Sequence, residues 1–193
     1  MKLNKLLQLL ILLCLMPYIS GCAVVAIGGA ATAATVAVDR RTSGTQLEDQ
    51  TIESKAGQAL NSDPELKEQA HWNVVSYNTV VLLTGETPTD AMRQKALELV
   101  KSVDKVTHVY NEITIAAPSS MVARASDSYI TSKVKTQMFT SSELSSIDIK
   151  VVTEKGVVYL MGIVSRAESE VATEIARQTG GVQKVVKLFQ YTD

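Results

Sequence analysis

Little in this chain of 193 residues is suited to bond-making chemistry. It has two cysteines, Cys14 and Cys22, and two histidines, His71 and His108. Cys14 lies in an N-terminal segment expected to be removed, so the mature chain keeps one thiol, and neither a disulfide nor a thiol-pair metal or redox site can be built. The histidines lie in different elements with no ligand-like spacing around either, so both read as ordinary strand residues and no metal is expected. The sequence has no glycine-rich phosphate loop, serine-nucleophile motif or paired-carboxylate arrangement; no catalytic residue, no cofactor and no enzymatic activity are expected. The single tryptophan, Trp72, begins a strand and is expected to pack at a domain edge. Excess positive charge is lacking too. The formal charge is −1, and it becomes −3 once Lys2 and Lys5 leave with the N-terminal segment, a balance that does not suit a nucleic-acid binder.

A membrane-spanning run is also missing. The apolar block Leu6 to Met16 provides about half of the ~20 residues a spanning helix needs, and Pro17 interrupts its end. Lys2 and Lys5 precede the block and Ile19-Ser20-Gly21-Cys22 closes it, the order of an export signal over residues 1–21. An aliphatic residue, Ser and Gly directly before Cys resembles the lipobox of bacterial lipoprotein precursors. That resemblance implies a diacylglyceryl thioether on Cys22 and an acyl group on its freed amine. At ~0.8 kcal/mol per buried CH₂, three long chains hold a protein to lipid far more firmly than one. Residues 22–45 then read as a tether. Within it Ala23 to Val38 is almost entirely Ala, Val, Gly and Thr without amphipathic period, which suits a flexible segment or, alternatively, a short Ala-rich helix on the membrane. Ala23 after the cysteine fits the sorting pattern that permits passage to the outer membrane.

Beyond the tether the same order of elements occurs twice. In the first copy Ile52, Ala56, Ala59 and Leu60 lie at helical spacing. Val74 to Tyr77 and Val80 to Thr84 read as strands around Asn78-Thr79, Gly85 ends the hairpin, Ala91 to Val100 is a helix and Val106 to Ile115 a strand. In the second copy Ile130, Val134 and Met138 form one helical stripe. Ile147 to Val152 and Val157 to Met161 flank Glu154-Lys155-Gly156, Gly162 ends the hairpin, Val171 to Ala176 is helical and Val182 to Phe189 is the last strand. Ile52 and Ile130, Gly85 and Gly162, and Val106 and Val182 recur at spacings of 78, 77 and 76. The expected fold is α+β, with tandem domains at 46–115 and 126–193 and a linker at 116–125 marked by Pro118-Ser119-Ser120. In each, two helices cover one face of a three-stranded mixed sheet. Domains of ~70 residues are near the lower limit for a single core, so packing between the copies is plausible.

Glycine after the hairpin, Val-x-x-Val opening the last strand (Val106 and Val109, Val182 and Val185) and the aliphatic first helix resemble the BON domain, a small lipid-associated module. With the lipobox, the Ala/Val/Gly tether and the run Asp39 to Gln46, the whole chain resembles the dual-BON outer-membrane lipoproteins of Gram-negative bacteria. Two positions depart from the pattern: Lys187 stands where the first copy has Asn111, and Gly57 lies inside the first helix. The resemblance implies a lipid-anchored protein on the periplasmic side of the outer membrane that maintains outer-membrane integrity. It also implies enrichment at the division site and binding of anionic phospholipid, phosphatidylglycerol or cardiolipin, by the second domain. The alternative it implies is an adaptor that docks an envelope assembly factor such as the outer-membrane β-barrel insertion machinery.

The residues themselves favour the second domain as the lipid-facing one. Residues 46–117 carry 6 basic and 11 acidic side chains, a net of −5, whereas 122–193 carry 9 and 8, a net of +1. An α-helix advances ~100° per residue, so the stripe Ile130, Val134, Met138 places Phe139 nearly opposite the core. Tyr129, Ser132 and Thr136 share the outward side, with Lys133 and Lys135 on its flanks. Aromatics at headgroup level, edged by lysines worth ~1 kcal/mol each near an anionic surface, are membrane-interface chemistry. The first copy has Thr51, Gly57 and Asn61 where the second has Tyr129, Lys135 and Phe139. The alternative is that Phe139 folds back into a loop and Tyr129 packs on the linker or the other domain.

Overall fold

The computed structural model describes residues 39–144 and 149–193. Cys22, the signal segment and the tether up to residue 38 lie outside the described residues. The first copy runs α1 (Ser43–Ser62), α2 (Pro64–Gln69), β1 (His71–Tyr77), β2 (Val80–Thr87), α3 (Asp90–Lys101) and β3 (His108–Ile115). The second runs α4 (Met121–Thr140), β4 (Ile149–Glu154), β5 (Val157–Val164), α5 (Arg166–Gln178) and β6 (Lys184–Tyr191). Each copy is an antiparallel hairpin with the third strand added parallel to its second member, giving sheet orders β1-β2-β3 and β4-β5-β6.

Alternation along the strands creates two apolar faces per sheet. Val81 and Leu83 face the helices and pack with Ile52, Ala56, Leu60 and Val100; Val158 and Leu160 do the same with Ile130, Val134, Met138 and Ala172. The opposite faces meet each other, where Val75, Tyr77 and Leu82 of the first sheet pack against Val152, Tyr159, Met161 and Leu188 of the second. The result is four layers, helices outside and two sheets inside. Small domains that each bury too little alone therefore share a third core. Polar pairs rim it: Lys150 Nζ donates to Glu53 Oε1 at 2.7 Å and Asn78 Nδ2 to Gln190 Oε1 at 2.7 Å.

Both hairpins turn through two residues with positive φ, Asn78 and Thr79 (51° and 65°) and Lys155 and Gly156 (50° and 72°). That twist suits the strands but is costly for non-glycine residues, Thr79 above all. An aspartate one helical turn before the apolar stripe fixes each turn. Asp49 accepts from the Asn78 and Thr79 N–H groups, both at 2.8 Å, and from Ser76 Oγ at 2.7 Å. Asp127 accepts from Lys155 N and Gly156 N, both at 2.9 Å. Gly85 lies within β2 rather than closing it, at φ 129°, where an added Cβ would sit 2.1 Å from the His71 carbonyl oxygen; only glycine allows the strands to approach there.

Several expectations are corrected. The segment 116–125 is not all linker: Ser120 caps α4 by accepting from Ala123 N at 3.2 Å, and the helix begins at Met121. The tether ends sooner than residue 45, because Thr42 caps α1 and Ser43 is its first residue. Helix α2 was not expected, although Asp63 before Pro64 is the chemistry of a helix start, and Asp63 accepts from Leu66 N at 3.0 Å. Trp72, half-buried on the edge strand β1, packs against the helix-side core of the first domain.

Candidate lipid-facing surface

Ile130, Val134 and Met138 are buried, and they fix the rotation of α4. Opposite them, Tyr129 is 67% exposed and Phe139 77% exposed; neither folds back onto the linker or the other domain. The earlier start of α4 adds Met121 (79% exposed) and Val122 (80%) to the same outward side. Of seven exposed large hydrophobic side chains among the described residues, these four lie on α4, whereas α1 contributes only Leu47. From Met121 to Phe139 the face runs about 27 Å at ~1.5 Å per residue. Asp127 is the helix's sole carboxylate and it is turned inward onto the hairpin, so the outward face carries no negative charge.

The two lysines differ. Lys133 is half-buried; its Nζ donates to the Gly180 carbonyl at 2.8 Å and lies 5.5 Å from the Tyr129 ring centroid, a cation–π distance. Lys135 is exposed and has no ion-pair or hydrogen-bond partner among the described residues. It borders an open groove of about 480 Å³ between the domains, with Thr136, Phe139, Lys150, Arg41 and Tyr77. The other two cations of that groove are neutralised in place. Arg41 pairs with Asp49 at 2.9 Å and Asp39 at 2.7 Å, and Lys150 pairs with Glu53. Ser132 and Thr136 are exposed, but each hydroxyl donates to the carbonyl four residues back, to Ser128 O and Ser132 O, both at 2.9 Å. They offer lone pairs and a small, flat surface rather than free donors.

Just before α1, Arg40 reaches the second domain, where its guanidinium donates to both Glu168 oxygens (2.8 and 2.6 Å) and to Ile163 O at 2.9 Å. That hydrogen bonding holds the Glu168 carboxyl down at about 2. Arg40 is thus braced against the domain that carries α4.

His71, read as an ordinary strand residue, stands among carboxylates. One of its ring nitrogens and one oxygen each of Glu86 and Glu154 lie within 4.8 Å of one another. Sequence spacing hid this because Glu154 comes from the other domain.

The BON domain family profile matches residues 48–117 and 126–193. The chain belongs to the BON-domain family. It is 40% identical over 193 residues to outer membrane lipoprotein DolP of Haemophilus influenzae, covering 100% of both chains, and so is a DolP-like dual-BON lipoprotein with an envelope-associated role. It is 39% identical over 154 residues to the 21 kDa hemolysin of Actinobacillus pleuropneumoniae, covering 80% of this chain and 79% of that one. To osmotically-inducible protein Y of Escherichia coli K12 the identity is 31% over 145 residues, covering 74% and 72%. Among solved structures, CdsD of Chlamydia trachomatis aligns at 9% identity and TM-score 0.31 over 73% of this chain and 92% of that one, a likeness too slight to inform the fold. No helix among the described residues is long and apolar enough to cross a membrane.

Proposed function

We propose that this dual-BON protein is a non-enzymatic lipoprotein, held by acyl chains on Cys22 to the periplasmic side of the outer membrane, whose second domain binds anionic phospholipid through the outward face of α4. The observation that carries the reading is the run of four exposed apolar side chains, Met121, Val122, Tyr129 and Phe139, on a helix face without carboxylates and flanked by Lys133 and Lys135. Such a face lies parallel to a membrane, with aromatics at headgroup level and lysines reaching phosphates. Phosphatidylglycerol and cardiolipin supply the negative charge. Contacts too weak to hold free protein become persistent when a tether confines the domain to the surface. Support of outer-membrane integrity and enrichment at the division site follow from the family resemblance.

The lysines offer a graded test by vesicle flotation with the folded unit. Lys135→Ala is expected to weaken binding to phosphatidylglycerol vesicles about 5-fold, the loss of ~1 kcal/mol, because its charge is uncommitted. Lys133→Ala is expected to do less, since its ammonium already serves Gly180. Vesicles of zwitterionic lipid should not distinguish either variant from wild type. Equal binding to both vesicle types would remove the anionic preference and favour the adaptor reading, in which the same apolar face docks an envelope assembly protein.

A further inference from the structure

At one end of the layer between the sheets, side chains from both domains form a buried polar cluster. His71 projects from β1, Glu86 from β2, Glu154 from β4 and Lys155 from the adjoining turn. Glu86 is 0% exposed and Glu154 9% exposed. Lys155 Nζ lies 3.1 Å from Glu86 Oε1 and 3.1 Å from Thr114 Oγ1 of β3, and Ser119 N donates to Glu86 Oε2 at 3.3 Å. Helix α4 closes the cluster from behind with Arg124, whose Nη1 donates to Ser119 O at 2.7 Å, and with Asp127, bound to the hairpin N–H groups.

The charges do not balance. Three carboxylates, Glu86, Asp127 and Glu154, face one ammonium and one guanidinium, and the Arg124 hydrogen bond goes to a backbone carbonyl. His71 adds nothing at neutral pH, because burial and Arg124 push its imidazole toward the neutral form. A buried, uncompensated carboxylate costs several kcal/mol, and the ordinary remedy is to take up a proton. The cluster is not an open cation seat, since Lys155 already occupies the position beside Glu86 that an ion would take.

We infer that a proton held on Glu154 beside Glu86 joins the two BON domains, so that the packing between their sheets loosens as the pH rises from acid through neutral. The proton comes from solvent and binds a Glu154 carboxylate oxygen, and no other bond changes. Burial first, then Glu86 and Asp127, push the Glu154 carboxyl up to about 7 from an ordinary 4.5. A raised carboxyl stabilises the fold fully below its unfolded value and loses that contribution as pH rises through its folded value. The contribution is therefore lost between the unfolded value, about 4.5, and the folded value, about 7, and is gone by about pH 8.

The test follows the full chain in detergent micelles by thermal unfolding and by amide exchange of β1 and β4, corrected for the intrinsic pH dependence of exchange. From pH 6 to 8.5 the wild-type melting temperature is expected to fall by about 3–6 °C, and exchange at Val75 and Val152 to speed up about 10-fold. Glu154→Gln, which carries the neutral shape permanently, should flatten both responses. Glu86→Gln, which removes the neighbouring charge but not the burial, should shrink both responses without abolishing them. An unchanged pH slope in both folded variants overturns the inference. So does restoration of the pH 8.5 wild type by millimolar zinc that fails in His71→Ala, which would make the cluster a metal site instead.

Discussion

Phe139→Glu combined with Tyr129→Glu is expected to lower affinity for phosphatidylglycerol vesicles at least about 100-fold. Each ring that reaches the interface contributes ~1.5–3 kcal/mol of apolar burial, and each new carboxylate is repelled by the anionic surface, so a combined loss of ~3 kcal/mol is a conservative figure. Both side chains are exposed and outside the core clusters, so the fold should survive; unchanged amide dispersion in an NMR spectrum serves as the control. If the folded double variant binds as well as wild type, α4 does not face the membrane.

Asp49→Ala should cost about 2–4 kcal/mol, because it leaves the Ser76 hydroxyl and the two turn N–H groups without their acceptor and takes one of two carboxylates from the half-buried Arg41, which keeps Asp39. Asp49 accepts from Arg41, from Ser76 and from the two N–H groups of the strained Asn78-Thr79 turn, and Arg41 itself lies 4.1 Å over the Tyr77 ring. Asp127→Ala removes two backbone hydrogen bonds without an arginine and should cost about 2–3 kcal/mol. Urea unfolding followed by Trp72 fluorescence, a probe in the first domain's core, measures the difference. A midpoint for Asp49→Ala within error of wild type would contradict the assigned role.

The elements that could be read in advance are those whose signal is local. Ile130, Val134 and Met138 are buried because period 3.6 leaves no other way to hide three large apolar groups on one helix, and Phe139 is exposed for the same reason. The repeat spacings placed the sheets and crossover helices because both copies solve one packing problem. The start of α4 escaped notice because residues 121–126 carry no apolar stripe and follow Pro118-Ser119-Ser120, so helix and linker look alike; the Ser120 cap was the available sign. Asp49 and Asp127 are not among the residues picked out from the sequence, yet each lies three residues before the matching isoleucine, and that recurrence within the repeat marks them. Interdomain features had no local trace. Nothing around Glu86 announces that Glu154 will stand beside it, and the layer between the sheets consists of the alternate strand positions that a solitary domain would turn to water.

The most direct measurement is an NMR titration of the folded unit with anionic and with zwitterionic lipid micelles, read residue by residue. Shifts should gather on Met121, Val122, Tyr129, Ser132, Lys133, Lys135, Thr136 and Phe139, appear with phosphatidylglycerol, and leave α1 and α3 unmoved. Shifts centred on the first domain, or identical with both lipids, would contradict the assignment of α4 as the face that recognises anionic membrane.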